Sequence, residues 1–138
     1  MSKSRFFCIV AALLLLTGCQ DKYVHPSYTL ADLIGQVQKH HADIVTRSKE
    51  TSAEKPSESG MLHHSLHEID ATLGAIMEYP ADQLELETDQ VAALRGVSSK
   101  LRKAYRDLDD EFHQHYEIDF SMHEDCIQKS LDRLTEFR

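Results

Sequence analysis

The chain has 138 residues, 28% of them charged, and a formal charge of −8 with its nine histidines counted as neutral. That is one domain's worth of sequence, long enough to bury a modest core without disulfide staples. So acidic a body does not bind nucleic acid by neutralising phosphates and is repelled by anionic lipid headgroups, whereas it attracts cations.

The chain begins with a short basic start, Lys3 and Arg5, followed by an unbroken apolar run from Phe6 to Leu16. The run is too short to cross a bilayer as a stable helix, and small residues follow it, which is the layout of a secretory signal peptide. It closes on Leu16-Thr17-Gly18-Cys19. This tetrapeptide resembles the lipobox of bacterial lipoprotein precursors. The resemblance covers residues 1–19 and implies that residues 1–18 are a signal peptide, that the Cys19 thiol is diacylated, and that the mature chain starts at Cys19. Acyl chains contribute about 0.8 kcal/mol per buried methylene, so two or three together anchor a protein to the membrane firmly. In that family an aspartate directly after the cysteine favours the inner membrane. Here that position is Gln20, with Asp21 one residue later, so the resemblance implies an outer-membrane anchor with the mature domain facing the periplasm. Losing Lys3 and Arg5 takes the charge to about −10. Cys8 leaves with the signal and Cys19 carries lipid, so Cys126 is the one thiol left and no internal disulfide forms.

Residues 19–28 contain Pro26 and no periodicity, and read as a lipidated tether; residues 29–138 carry four amphipathic helical patterns and no strand run. The first covers residues 30–47, with Leu30, Leu33, Ile34, Val37, Ile44 and Val45 on one stripe and Thr29 as N-cap. Residues 48–60, rich in Ser, Glu and Lys and holding Pro56, read as a solvated loop. The second pattern covers residues 61–78, with Leu62, Leu66, Ile69, Leu73 and Ile76 alternating in steps of four and three. Tyr79-Pro80 should end it, because proline restricts the residue before it. The third, residues 88–115, has the seam Val91, Leu94, Ser98, Leu101, Tyr105, Leu108, Phe112 and His115. The fourth opens with Ser121-Met122-His123-Glu124, the pattern of a capping box, and runs through Ile127, Leu131 and Leu134 to Phe137. Four such helices pack most simply as an all-α, antiparallel up-down four-helix bundle, the alternative being a three-helix bundle with a loose last helix. Gly35, Gly74 and Gly96 fall inside helices, where close helix crossing would explain one or two of them.

An antiparallel bundle gathers eight of the nine histidines at one pole: His40 and His41, then His63, His64 and His67, then His113 and His115, then His123. His25 stays on the tether. Rotation by about 100° per residue puts His41 in the apolar stripe between Val37 and Ile44, and His115 and His123 near the core direction. His63 and Asp70 lie on the flank of the second helix, with His67 farther out but paired to His63 at i, i+4. His40, His64 and His113 are expected to face water. Neutral imidazole is a ligand for zinc, copper and nickel, and bundle cores build metal sites from inward histidines and carboxylates. The expected ligands are therefore His41, His63, His115 and His123, with His67 and Asp70 next. Glu111, Glu124 and Asp110 are further carboxylates, and Met61, Met122 and Cys126 would favour copper. Two other readings stand beside this one. A lone histidine on an apolar stripe is usually a satisfied core residue, and crowded imidazoles act as a proton switch near neutral pH.

The spacing H-E-x-x-H, a glycine-rich phosphate loop, a G-x-S-x-G elbow and a CxxC pair are all missing from the sequence. The expectation is therefore a non-enzymatic protein. The predicted architecture is similar to that of the cytochrome c-prime group, but Cys126 stands without the C-x-x-C-H pattern through which that group attaches haem, so covalent haem is excluded. A non-covalent haem between two of His41, His115 and His123 stays open. The sequence thus implies a membrane-anchored lipoprotein holding a transition metal at its histidine-rich end, or an envelope adaptor that docks a protein partner and binds no ion.

Overall fold

The computed structural model describes residues 28–50 and 56–138, with the side chains of residues 56–58 left aside. The signal peptide, Cys19 and the tether up to residue 27 lie outside the described residues. Among the described residues four α-helices follow one another: α1 (Leu30–Glu50), α2 (Pro56–Met77), α3 (Thr88–His115) and α4 (Glu124–Thr135), with 3-10 turns at Ala81–Gln83 and Phe120–Met122. Consecutive helices pack on one another, and α4 closes the ring against α1. The fold is the expected all-α antiparallel four-helix bundle, with no strand among the described residues.

Each helix begins and ends for a local reason. Thr29 caps α1: its Oγ accepts from the Asp32 N–H at 3.1 Å, and the Asp32 carboxylate accepts from the Thr29 N–H at 3.0 Å and from the Thr29 hydroxyl at 2.8 Å. These reciprocal bonds satisfy donors that a helix start leaves without intrahelical partners. They also hold the Asp32 carboxyl below its ordinary range, the Thr29 side-chain bond being the largest cause. Before α3, Gln90 Oε1 accepts from the Glu87 N–H at 2.9 Å. At its far end Tyr116 takes a left-handed φ of 57° and donates its N–H to Phe112 O at 2.7 Å, closing the last turn as a C-terminal cap.

Three boundaries differ from expectation. α1 runs three residues further, to Glu50, and α2 starts at Pro56 within the stretch read as loop. Proline lacks an N–H and has a fixed φ suited to the first helical position, so Pro56 opens the helix rather than marking a loop. The capping box expected at Ser121 does not form. Instead Asp119 accepts from the Ser121 N–H at 2.9 Å, Phe120–Met122 makes a 3-10 turn, and α4 begins at Glu124 after His123.

The core is the expected seams brought together: Leu33, Ile34, Val37 and Ile44 of α1; Leu62, Leu66, Ile69, Leu73 and Ile76 of α2; Val91, Leu94, Leu101, Tyr105, Leu108 and Phe112 of α3; and Ile127, Leu131 and Leu134 of α4. Burial of each large aliphatic side chain contributes about 1.5–3 kcal/mol, which is what holds helices of this length together in water. Val45, at the edge of the first stripe, is only half-buried. Ser65 and Thr72 are buried without penalty because their hydroxyls donate to Met61 O and Glu68 O one turn back, at 3.1 and 2.8 Å. Ser98 Oγ, also buried, has no partner among the described residues.

The glycines do not mark helix crossings. A Cβ at Gly35 or Gly96 would meet nothing within 4 Å, whereas one at Gly74 would come within 3.2 Å of the Arg102 guanidinium. Gly74 makes room for a side chain that bridges α3 to α2.

Candidate metal centre

The antiparallel run of α2 and α3 is fixed along its length by polar links. Going down α2, Asp70 meets Arg102 and Arg106, and the Tyr79 carbonyl accepts from Arg95. Toward the start of α2 this register sets His63 and His67, one turn apart, against Asp109 and His113, also one turn apart on α3. Residues at i and i+4 stand one above the other on a helix face. Two such pairs on facing helices therefore supply four side chains to one point.

The geometry of that point is tight. His63 Nε2 lies 2.9 Å from His67 Nε2 and 3.1 Å from His113 Nε2. The Asp109 carboxylate comes within 3.6 Å of His63 Nε2, 3.6 Å of His113 Nε2 and 3.9 Å of His67 Nε2. One ligand atom from each of the four residues lies within 4.8 Å of every other. A tetrahedral zinc ion with ligands at about 2.0–2.1 Å places those ligands about 3.3 Å apart, so the set has the spacing of a four-coordinate shell. Hydrogen bonding among the imidazoles does not account for it. A single ring nitrogen carries either one hydrogen or one in-plane lone pair, and so serves one good partner. Yet His63 Nε2 has two nitrogens at hydrogen-bond distance and a carboxylate oxygen besides. The nearest of those oxygens, Asp109 Oδ1, is buried without a hydrogen-bond partner among the described residues, a condition that costs about 1–3 kcal/mol unless something answers it.

The His63 ring is held by its surroundings. It stacks on Phe112 with centroids 5.8 Å apart and planes within 19°, while His67 and His113 stand edge-on to it at 4.4 and 4.7 Å. Burial lowers the pKa of His63; Asp109 opposes this, and the neighbouring His67 and His113 reinforce it. The net effect keeps His63 neutral, the form that binds a metal, to lower pH than an ordinary histidine. The outer two rings are solvent-facing, with side-chain exposures of 60% for His67 and 56% for His113. An ion held here is reachable from solution.

The structure thus brings together two of the six expected ligands, His63 and His67, and completes the group with two residues that the sequence reading did not choose. His113 was expected to face water. It does stand outside the core, but its ring turns across the α2–α3 groove onto His63. Asp109 sits four residues before it, and that i, i+4 pairing opposite His63 and His67 is the signal that would have found both.

The other four expected ligands lie elsewhere. His41 fills its slot on the α1 stripe, but its Nδ1 pairs with the Tyr105 hydroxyl at 2.7 Å, and its ring meets Phe120 edge-on at 6.2 Å. Burial raises the Tyr105 pKa and lowers that of His41. The hydroxyl therefore keeps its proton and shares one hydrogen bond with a neutral imidazole, the arrangement of a satisfied core histidine. Asp70 is fully engaged: Arg102 reaches it through Nε and Nη2 at 2.9 and 3.0 Å, and Arg106 through Nε and Nη2 at 2.7 and 3.3 Å. Burial pushes the Asp70 carboxyl up, but the bonds from the two arginines outweigh it and hold the group low. His115 is exposed because α3 ends there, past the last core layer, and His123 is half-buried before α4. Neither belongs to the ligand group.

Nor do the soft donors join it. Met61 Sδ accepts from Arg47 at 3.3 Å, Met122 is 82% exposed, and Cys126 is an exposed free thiol. The donor set is three imidazole nitrogens and one carboxylate. That suits zinc, nickel or copper(II) and gives no preference for copper(I), which seeks thiolate or thioether.

No protein-family model matches the chain, and comparison with curated proteins and with solved structures finds no similar one. Function is therefore read from the site. Among the described residues no helix is long and apolar enough to cross a membrane.

Proposed function

We propose that this protein is a lipid-anchored envelope protein that holds one divalent transition-metal ion, zinc, nickel or copper(II), between α2 and α3 and catalyses no reaction. The observation that carries the metal reading is the convergence of His63, His67 and His113 Nε2 with the Asp109 carboxylate at the spacing of a coordination shell. The anchor rests on the lipobox-like Leu16-Thr17-Gly18-Cys19 and places the domain in the periplasm, on the outer membrane by the Gln20 criterion. Exposure of His67 and His113 favours an exchangeable ion, as in a carrier or buffer, over a permanently buried structural one.

The test is metal analysis and calorimetry on the mature domain purified without a histidine tag. One zinc, nickel or copper ion per chain, with a melting temperature raised by that ion, is the expected result. A ligand present at 100 times its dissociation constant stabilises the folded state by about 2.7 kcal/mol. A domain that comes out metal-free and is not stabilised by any of the three ions overturns the proposal. That outcome would leave the envelope adaptor, for which the exposed Tyr116 and Met122 on the α3–α4 connection are the surface to examine.

A further inference from the structure

Beside the metal ligands, the α2–α3 groove opens into a cleft of about 150 Å³ lined by Leu66, His67, Asp70, Tyr105, Arg106 and Asp109. That is several times the ~30 Å³ that one water occupies in the liquid. Two of its lining residues, His67 and Asp109, belong to the metal group, and Arg106, one turn before Asp109 on α3, lines the same cleft. The guanidinium spends Nε and Nη2 on Asp70, and among the described residues its Nη1 has no bonded partner.

The charged groups lining the cleft are Asp70 and Asp109, both negative, and Arg106, which is positive. A divalent ion on Asp109 and the three imidazoles turns this net charge of −1 into a surplus of one positive charge, on a protein whose total formal charge is −8. Such a surplus in a recess with low-dielectric walls attracts an anion more strongly than the same charges spread over open surface.

We propose that the metal-loaded cleft binds a small oxyanion, a carboxylate or a tetrahedral oxoanion, between the ion and Arg106 Nη1, so that metal and anion are held as a pair. This rests on the metal reading above. The guanidinium fork suits the planar or tetrahedral oxygens of such ligands. Coupling is reciprocal: an anion that prefers the metal-loaded form tightens metal binding by the same factor.

The experiment measures zinc affinity by chelator competition at constant ionic strength and pH in nitrate, in acetate and in sulfate. Acetate represents the carboxylate source and sulfate the tetrahedral one, and both bind aqueous zinc weakly. The expected result is zinc binding about tenfold tighter in acetate or sulfate than in nitrate. The gain should disappear in Arg106→Gln and persist in Arg102→Gln, which loses a bidentate bond to Asp70 but does not line the cleft. Equal affinity in the three salts overturns the inference while leaving metal binding intact, as does a gain that Arg106→Gln retains or that Arg102→Gln loses equally. Absence of zinc binding in all three salts overturns the metal reading and this inference together.

Discussion

His41 and His63 are the same residue type on neighbouring helices, His41 the deeper of the two, and burial lowers the pKa of both. They differ in what they face. His41 has one hydroxyl at 2.7 Å and two aromatic rings; every polar need on that side is met by a single bond. His63 has two imidazole nitrogens and a carboxylate on one ring nitrogen, more partners than that atom can serve by hydrogen bonding. Convergence of donors from two helices, not depth on an apolar stripe, separates a site from a satisfied core position.

The sharpest way to break this comparison is to remove each histidine and measure metal. His63→Ala should weaken zinc binding at least 100-fold, because it removes the ligand that the other three surround. His41→Ala should leave the dissociation constant within about twofold, since Tyr105 and not an ion is its partner. Isothermal calorimetry on both variants decides the matter, and loss of zinc in His41→Ala would erase the distinction.

Tyr105→Phe tests the other half. It leaves His41 Nδ1 facing a ring carbon within the bundle, and an unmet buried polar atom costs about 1–3 kcal/mol. Chemical denaturation should show that loss with zinc affinity unchanged. Asp70→Asn should follow at about 1–2 kcal/mol, less than for a fully buried ion pair because Arg106 is mostly in water. Asp70's carboxyl is held below the ordinary aspartate value of about 4. Its stabilisation is therefore fully present above that value and is lost as pH falls through the lower, folded-state value; the variant should lack this acid-side loss.

How far the sequence could see is clear from these same residues. The α2 and α3 seams were legible residue by residue, because steps of three and four report a helix face whatever it packs against. Thr29 as cap and Tyr79-Pro80 as terminator were legible for the same local reason. The approach of His63 and His67 to His113 followed from the antiparallel topology. The ligand set did not, because rotation about one helix axis tells which residues point inward, whereas this site lies in the groove between two helices and uses residues on their flanks. His113 was assigned to solvent by its angle, yet a long side chain on a flank reaches across a groove. Asp70 offered the right chemistry and the right flank, but two arginines four residues apart on α3 take both of its oxygens. That depends on the register of α2 against α3, which periodicity leaves undetermined.

Acid titration separates the two histidine regions. His41 has a folded-state pKa below the unfolded value of about 6.5. The unfolded chain therefore binds that proton first, and the stability His41 confers is present above about pH 6.5 and lost as pH falls through the folded value. His63 acts in the same sense, so the metal-free domain should lose stability below neutrality through both. His41→Gln should remove only part of that slope. His63→Gln should remove another part, and it alone should abolish the steeper dependence expected with zinc bound, where imidazoles must stay deprotonated. Urea midpoints between pH 5 and 8, with and without zinc, measure this. A slope unaltered by either variant would place the titrating groups elsewhere.

The smallest effect concerns the glycines, and it sharpens what holds α3 to α2. At Gly35 and Gly96 an added methyl meets nothing within 4 Å, so alanine there should stabilise by about 0.5–1 kcal/mol through helix propensity and a less free unfolded chain. At Gly74 the same methyl comes within 3.2–3.4 Å of the Arg102 guanidinium, which is pinned by two bonds to Asp70. The arginine must shift by a few tenths of an ångström, so the propensity gain is offset and Gly74→Ala should be neutral or destabilising. Combining it with Asp70→Asn is the decisive step. If the pinned guanidinium is what resists the methyl, releasing it should restore the alanine gain, and the double variant will be more stable than the sum of the single changes predicts. Additive changes would mean that Arg102 yields freely, and that the Asp70 pair does not fix the register on which the His63 and Asp109 convergence depends.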